Sequence, residues 1–301
     1  MRLFWYHHPH GNFGDDLNPW LWPRLLPGLI DGEGAWLVGI GTLLNQRLPR
    51  EGELVILGAG VGLGTPPIVD ARWRIHGVRG PMSCAALGIA PDLAIGDPAI
   101  LAADFTPTAS VRHGTGFMPH YVSCELWDWR ATAAELGLIF IDPRAPVEQT
   151  LTQIAGLQSL LSEAMHGAIV ADALRTPWVR VEIDPELFNA KWEDWGLSVD
   201  LVPLPHRVPM LSNMVSTLRD HAKRIAVAAG LGRWVTAPPP PPRSSPQRAR
   251  AARTRLAALA TSAPRQLSTD QAIQRAKARI RAAVEAVRVE HGPTLSGSAR
   301  P

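Results

Sequence analysis

The sequence predicts an α/β fold built on parallel strands, and three observations carry that expectation. First, between Leu157 and Val181 a short apolar run stops at Ser162 and Glu163, and a helix-period stretch follows with Ile169, Val170, Ala173 and Leu174 on one face. Pro177 ends that helix and Trp178-Val-Arg-Val181 resumes as a strand, which makes a strand–helix–strand unit. Second, short apolar runs alternate with helical segments along most of the chain. Third, three strand ends carry glycine clusters: Gly11-Asn-Phe-Gly14, Gly39-Ile-Gly41 and Gly58-Ala-Gly60-Val-Gly62. Glycine at a strand-to-helix turn lets a ligand approach the backbone and leaves N–H groups free for anions.

In chain order, the predicted strands are Leu3 to Tyr6, Ala35 to Ile40, Leu54 to Leu57 and Trp73 to Val78. A helix runs to about Leu26, capped by Asp15 or Asp16, and another starts at Pro81, a residue suited to the first helical position. Gly96-Asp97-Pro98 closes this half, and 106–116 reads as a linker. The second half has a strand ending near His120, a helix around Trp129 to Leu136, a strand Leu138 to Ile141 and a helix Val147 to Ala155. Beyond Trp178 to Val181, a last folded helix is expected from Pro209 to about Leu231. The expected units are therefore 1–105, 117–236 and a segment 237–301.

The charge is uneven. Of 30 basic and 27 acidic residues, twelve and three fall at 238–301, so that segment carries +9 and the remainder −6. With five consecutive prolines at 238–242 and an Arg/Ala-rich composition, 237–301 reads as a low-complexity, solvated, basic tail. Within it a helix from about Gln271 to Val289 gathers Ile273, Ile280, Val284 and Val287 on one side, which suggests weak contact with anionic lipid head groups. No apolar run approaches the roughly 18–20 residues of a membrane span, and the N-terminus turns polar too early for a signal peptide. Cys84 and Cys124 match no metal spacing, so no metal is expected and a reducing cytoplasm is the expected location, at most peripheral to the inner face of the membrane. Dinucleotide binding is disfavoured, because Leu63 stands where the fingerprint needs its third glycine and no acid follows Val78-Arg79.

His166 is the residue that chemistry points to first. It falls at a helix start just past the carboxyl edge of a parallel strand, where open α/β sheets bind ligands and where a helix favours negative charge. An imidazole there is placed for proton transfer beside an anion, or for plain capping or packing.

Taken together, Gly11-Asn-Phe-Gly14-Asp15-Asp16-Leu-Asn18, Gly39-Ile-Gly41-Thr42, Gly58-Ala-Gly60-Val-Gly62, Val78-Arg79-Gly, Gly96-Asp97-Pro98-Ala and Glu163-Ala-Met-His166-Gly-Ala-Ile-Val-Ala-Asp-Ala-Leu-Arg175 resemble the polysaccharide pyruvyl transferase family over roughly residues 1–207. Ala164, where many members carry Arg, and the Glu-Ala-Met-His form with Arg175 look like the exopolysaccharide ketal-pyruvyl-transferase branch. The basic tail lies outside this resemblance. What it implies is two Rossmann-like domains in a GT-B-like arrangement, with the active site in the interdomain cleft. It also implies a reaction that moves the pyruvyl unit of phosphoenolpyruvate onto two hydroxyls of a lipid-linked or polymer-bound saccharide, with no cofactor beyond that donor.

Such a reaction needs cations for the donor, an acid for its methylene and a base for the sugar hydroxyl. The expected acid is His166. Asp15 or Asp16 is the expected base, with capping as the competing role of either, and His120 is a reserve acid or base. Arg79, Arg175 and Lys191 are the candidate anion ligands, Arg offering a fork that Lys lacks. Asn12, Gly14, Asp97 and Glu163 complete the candidate substrate-binding set. Two rivals remain: a glycosyltransferase using a nucleotide sugar in the same cleft, and, ranked last, a nucleic-acid binder working through the basic tail.

Overall fold

A computed structural model of the chain describes residues 1–62, 65–107, 109–184, 189–214 and 243–292. Two parallel sheets form its frame. The first has the order β1 (Arg2–Phe4), β2 (Trp36–Val38), β3 (Leu54–Leu57) and β4 (Trp73–Gly77). β3 is four apolar residues, all buried, as expected of a strand covered on both faces. The second sheet comprises β5 (Thr115–Met118), β6 (Ile139–Phe140), β7 (Ser159–Ser162), β8 (Trp178–Glu182) and β9 (Pro205–Arg207), in the order β6-β5-β7-β8-β9. Among the described residues every pairing between these strands is parallel, and Gln266 adds one antiparallel bridge to Trp178. The α/β class is therefore as the sequence predicts. The chain order reverses between β5 and β7, and a crevice at such a reversal, beyond the carboxyl ends of the strands, is where open sheets take ligands.

Helices α1 (Phe13–Leu25), α2 (Pro81–Leu87), α3 (Tyr121–Leu126), α4 (Trp129–Glu135), α5 (Val147–Ala155), α6 (Met165–Ala173) and α7 (Ala190–Ser198) connect the strands. α1 contains Pro19 and Pro23. Pro19 has no N–H for the carbonyl of Asp15, one turn earlier. The side chain of Asn18 replaces that donor, giving one hydrogen bond to the Asp15 carbonyl at 3.0 Å and a second to the Ile40 carbonyl at 2.9 Å. The side-chain amide oxygen of Asn18 accepts from the Ile40 N–H and the Trp22 indole. One buried amide thus repairs the helix and pins its first turn to the carboxyl end of β2.

The two sheets share a core. A single cluster of buried residues includes Phe13, Leu17 and Leu21 of α1, Leu37 of β2, Ile100 and Leu101 of a 3-10 segment at Pro98–Phe105, Ile169 of α6, and Trp178 of β8. Thr115 and Gly116, expected in a linker, already belong to β5. The helix expected from Pro209 to Leu231 lies mostly outside the described residues. Its described part, 209–214, is not helical.

The largest departure from expectation lies at the C-terminus. Residues 243–292 form α8 (Pro246–Ser262) and α9 (Asp270–His291), and both are built into the fold. Ala249, Ala252, Leu256 and Leu259 of α8 pack in a cluster with Phe117, Trp129 and Val181 of the second half. Ile273, Ile280, Val284 and Val287 of α9 join the core that spans both sheets. The apolar stripe read from the sequence is real, but it is buried against protein and is not available to a lipid surface. Several arginines of this segment are engaged as well: Arg275 with Asp200, Arg281 with Asp104, and Arg288 with the Leu25 carbonyl. The residue types alone do not separate a solvated basic helix from one whose apolar side meets a core. Among the described residues no helix is long and apolar enough to cross a membrane. Cys84 and Cys124 are free.

Ile280 has no exposed surface, and its methyl lies 3.3 Å from where a side chain on Gly96 would begin. Ile280→Ala should lower stability by about 2–4 kcal/mol. Denaturant unfolding checks this; a solvated tail would give a change near zero.

Candidate active site

The carboxyl ends of the strands in both sheets meet the starts of α1, α6 and α7. None of these three helix starts is capped by the side chain of its N-cap residue, which leaves N–H groups of the first turn other than that of Phe13 without a side-chain acceptor from the cap. α1 is set by the Phe13 N–H donating to the Pro143 carbonyl at 2.8 Å. α6 follows β7 directly, which brings His166 to the edge named from the sequence.

The imidazole of His166 lies between two elements of the first half. Its Nε2 is 3.5 Å from Oδ2 of Asp97, whose carboxylate is fully buried and whose other oxygen accepts from the Ala99 N–H. Its Nδ1 lies over Gly14: a Cβ built there would fall 2.0 Å from that nitrogen. Glycine at position 14 is therefore a space requirement, met by no other residue without moving the ring. Asp15 is the next residue. Burial pushes its carboxyl up to about 6, opposed by His166, by a 2.6 Å hydrogen bond from the Asn12 side chain and by Lys191. Asp16 instead accepts the Asn12 backbone N–H at 2.9 Å. The two neighbouring acids thus divide the roles: Asp16 caps α1 and Asp15 faces the imidazole.

Lys191, in the first turn of α7, is half-buried. Burial and then Arg79 push its ammonium down to about 8, while Asp15 and Glu163 pull it back up. It makes no ion pair among the described residues. Arg79 is fully buried and otherwise committed. Its Nε is 3.1 Å from Oδ2 of Asp194, its Nη1 donates to the Thr42 hydroxyl at 3.2 Å, and its Nη2 donates to the Val61 carbonyl at 3.3 Å. Gly60 packs against this guanidinium, where a Cβ would come within 2.2 Å of it. Asp194 also accepts from the Met82 and Ser83 N–H groups and from the Ser83 hydroxyl, capping α2 of the first half from α7 of the second.

Glu163 directly follows β7 at the strand-order reversal. Its carboxylate accepts from the His120 N–H at 2.7 Å, the Ser123 hydroxyl at 3.0 Å and the Asp184 N–H at 3.1 Å. Burial raises it to about 7 against those three donors. Glu163 thus fixes the loops after β5 and β8. His120 lies beside it with a buried Nδ1 that has no hydrogen-bond partner, and burial, then Lys191 and His166, press it down to about 3. At that value the ring carries no charge at neutral pH. The His120 ring contacts Tyr121 at 4.5 Å between centroids, and Tyr121 contacts His8 at 4.6 Å.

Arg175 is the candidate that the structure does not bring to this place. It sits at the far end of α6, about 13 Å of helix rise from His166. There it holds the segment before α9: it donates to the Ser268 carbonyl at 2.6 Å and pairs with Asp270 at 3.1 Å. Asn12, Gly14, Asp15, Asp97, His120, Glu163, His166 and Lys191 do converge, with Arg79 behind Lys191. Sequence reasoning missed Asp194, Asn18 and Ser123. Asn18-Pro19 reads as a turn, and Asp194 lies between Trp192 and Trp195, both buried. A carboxylate on the apolar side of α7 was the one signal available. Those two tryptophans pack with Trp178 as core, at 6.1 and 5.5 Å between ring centroids.

The chain is 35% identical, over an alignment of 322 residues, to the succinoglycan biosynthesis protein ExoV of Rhizobium meliloti (strain 1021), with 97% of this chain and 100% of that protein covered. The similarity therefore runs through most of 237–301, which the motifs had left out. No family model matches the chain, and no solved structure matches it significantly. Identity maintained over nearly the whole of both proteins, the two C-terminal helices included, goes beyond a set of shared motifs, and the chain belongs to the polysaccharide pyruvyl transferase family, in its exopolysaccharide branch.

Proposed function

We propose that this protein transfers the pyruvyl unit of phosphoenolpyruvate to two hydroxyls of one saccharide unit, as a cyclic ketal, during biosynthesis of an exopolysaccharide. The observation that carries this reading is the His166 imidazole, held by Asp97 and facing Asp15 and Gly14 among three helix starts, with Lys191 as the cation beside it. The relative's role in succinoglycan biosynthesis supports a saccharide acceptor. The two sheets are read as the lobes of a GT-B-like arrangement, and the acceptor as a lipid-linked or polymer-bound saccharide met at the inner membrane face.

In this reading the donor's carboxylate and phosphate are held by Lys191 and the helix-start N–H groups, with Arg79 adding positive potential from behind. His166 gives a proton to the donor methylene, which becomes a methyl group and leaves C2 electrophilic; Asp97 lies 3.5 Å from its Nε2 and orients the ring. A sugar hydroxyl attacks C2 and loses its proton to Asp15. The C2–O bond to phosphate then breaks, and the second hydroxyl closes the ketal. Of the two hydroxyl protons released, one balances the proton placed on the methyl group and the other departs with phosphate. The reaction needs no electron acceptor and no further cofactor.

Three outcomes test this. His166→Ala should lower kcat about 100- to 10,000-fold with an unchanged unfolding curve, measured as release of phosphate and by mass spectrometry of the ketal product. Lys191→Ala should raise the donor KM, whereas Arg175→Ala should leave it unchanged and lower the melting temperature; the reverse pattern would remove Lys191 from the site. The pH profile of kcat/KM should rise through about 6, as Asp15 ionises, and fall through about 8, as Lys191 loses its charge. Because Asp15 holds its proton more tightly folded than unfolded, its contribution to stability is fully present below its ordinary carboxylate value and is lost as the pH rises through about 6. Asp15→Asn should therefore remove most of the turnover while stabilising the protein above about pH 6 by about 1–2 kcal/mol, with the gain vanishing below about pH 4, as read by denaturant unfolding across pH.

A further inference from the structure

Away from this site, the last turn of α9 lies against β4 and brings together residues from three separate parts of the chain. His76 comes from β4, Glu290 and His291 from the end of α9, and Glu53 from just before β3. One ligand atom from each of His76, Glu290 and His291 lies within 4.8 Å of the others. His76 Nε2 is 3.1 Å from Oε2 of Glu290, and His291 Nε2 is 3.9 Å from Oε1 of Glu53. Both ring nitrogens are buried; that of His76 faces Glu290 without the geometry of a hydrogen bond, and that of His291 has only the more distant Glu53 carboxylate. Buried imidazole nitrogens without partners are uncommon, because each forfeits the hydrogen bond it would have with water.

We propose that His76, Glu290 and His291, with Glu53 as the fourth ligand, bind a zinc ion that fastens the end of the C-terminal helix to the first sheet. Two imidazoles with carboxylates form a donor set that suits zinc, at bonds of about 2.0–2.2 Å and ligand-to-ligand separations of about 3.3 Å. The His76–Glu290 separation is already close to that, and His291 and Glu53 stand 3.9 Å apart. Arg74 is the resident competitor: its Nε lies 3.5 Å from Glu53 and 3.9 Å from Glu290, so it partly neutralises the same two carboxylates. None of the four ligands shares a hydrogen bond or ion pair with Asp15, His120, His166 or Lys191 among the described residues, so the ion would act on stability and not on the transfer reaction.

The test uses the full chain, stripped with a chelator and titrated with zinc chloride by calorimetry, and with Co2+ as a probe whose visible absorption reports tetrahedral N/O coordination. One equivalent per chain is expected, together with a rise in melting temperature on zinc addition. Glu290→Gln, at an exposed side chain, should keep the fold and weaken zinc binding roughly 100-fold or more, as should His76→Gln and His291→Gln. Arg74→Ala should tighten it. Pyruvyl transfer by folded ligand variants should match the parent chain. Absence of saturable binding would overturn the proposal, leaving His76 and Glu290 as a plain ion pair. Binding undiminished in Glu290→Gln and His291→Gln would overturn it too, by placing the ion elsewhere, as at the His7–His10 segment.

Discussion

The buried ion pair between Arg79 and Asp194 is the constraint on which the rest of the site depends. Arg79 ends the first sheet and Asp194 belongs to a helix of the second half. Neither charge has solvent to fall back on, and a buried pair that loses one member is destabilised by about 3–5 kcal/mol. The pair is kept because all its polar atoms are used: Asp194 accepts four hydrogen bonds and the guanidinium reaches Asp194, Thr42 and Val61. Its geometric consequence is larger than its energy. Lys191 lies one helical turn before Asp194, so docking Asp194 on α2 fixes where the ammonium can go, which is beside Asp15.

Around that frame the ionisable groups are balanced against burial. Asp15 and Glu163 are pushed up and Lys191 and His120 are pushed down, all with desolvation as the largest cause. An anionic donor entering such a cluster would favour the charged lysine and the charged imidazole, and would find them already oriented by Asp97 and by the start of α7. The cluster is costly to the free protein for the same reason that it is useful: poorly solvated charges bind strongly when the right counter-charge arrives.

The C-terminal segment serves the same end from a distance. α9 lies under Gly96 and the loop that presents Asp97, and Arg175 and Asp172 at the back of α6 grip the residues before it. The helix that carries His166 is thus held at its front by the site and at its rear by residues near 268. A basic composition and a fixed position in the core are compatible because the arginines radiate from the polar side of α9 and find carboxylates there.

The sequence by itself determined the α/β class, the register of strand against glycine-rich turn, and the edge at which His166 stands, because those follow from local periodicity and from what glycine and proline permit. It placed β3, α5 and the start of α2 at their observed residues, since an all-apolar strand and a proline-led helix carry their own boundaries. It also named nearly all the groups that meet at the site. Only the tertiary structure decided which did what. Asp15 and Asp16 are chemically alike, and a helix turn of about 100° separates a buried carboxylate from a capping one. Arg175 lost its place to the far end of its helix, while Lys191 kept its own through a partner, Asp194, that lies 115 positions from Arg79. The grouping of His76 with Glu290 and His291 is more distant still in the chain. Such pairings depend on which surfaces pack, and packing is decided by buried area summed over many residues, which no local pattern records.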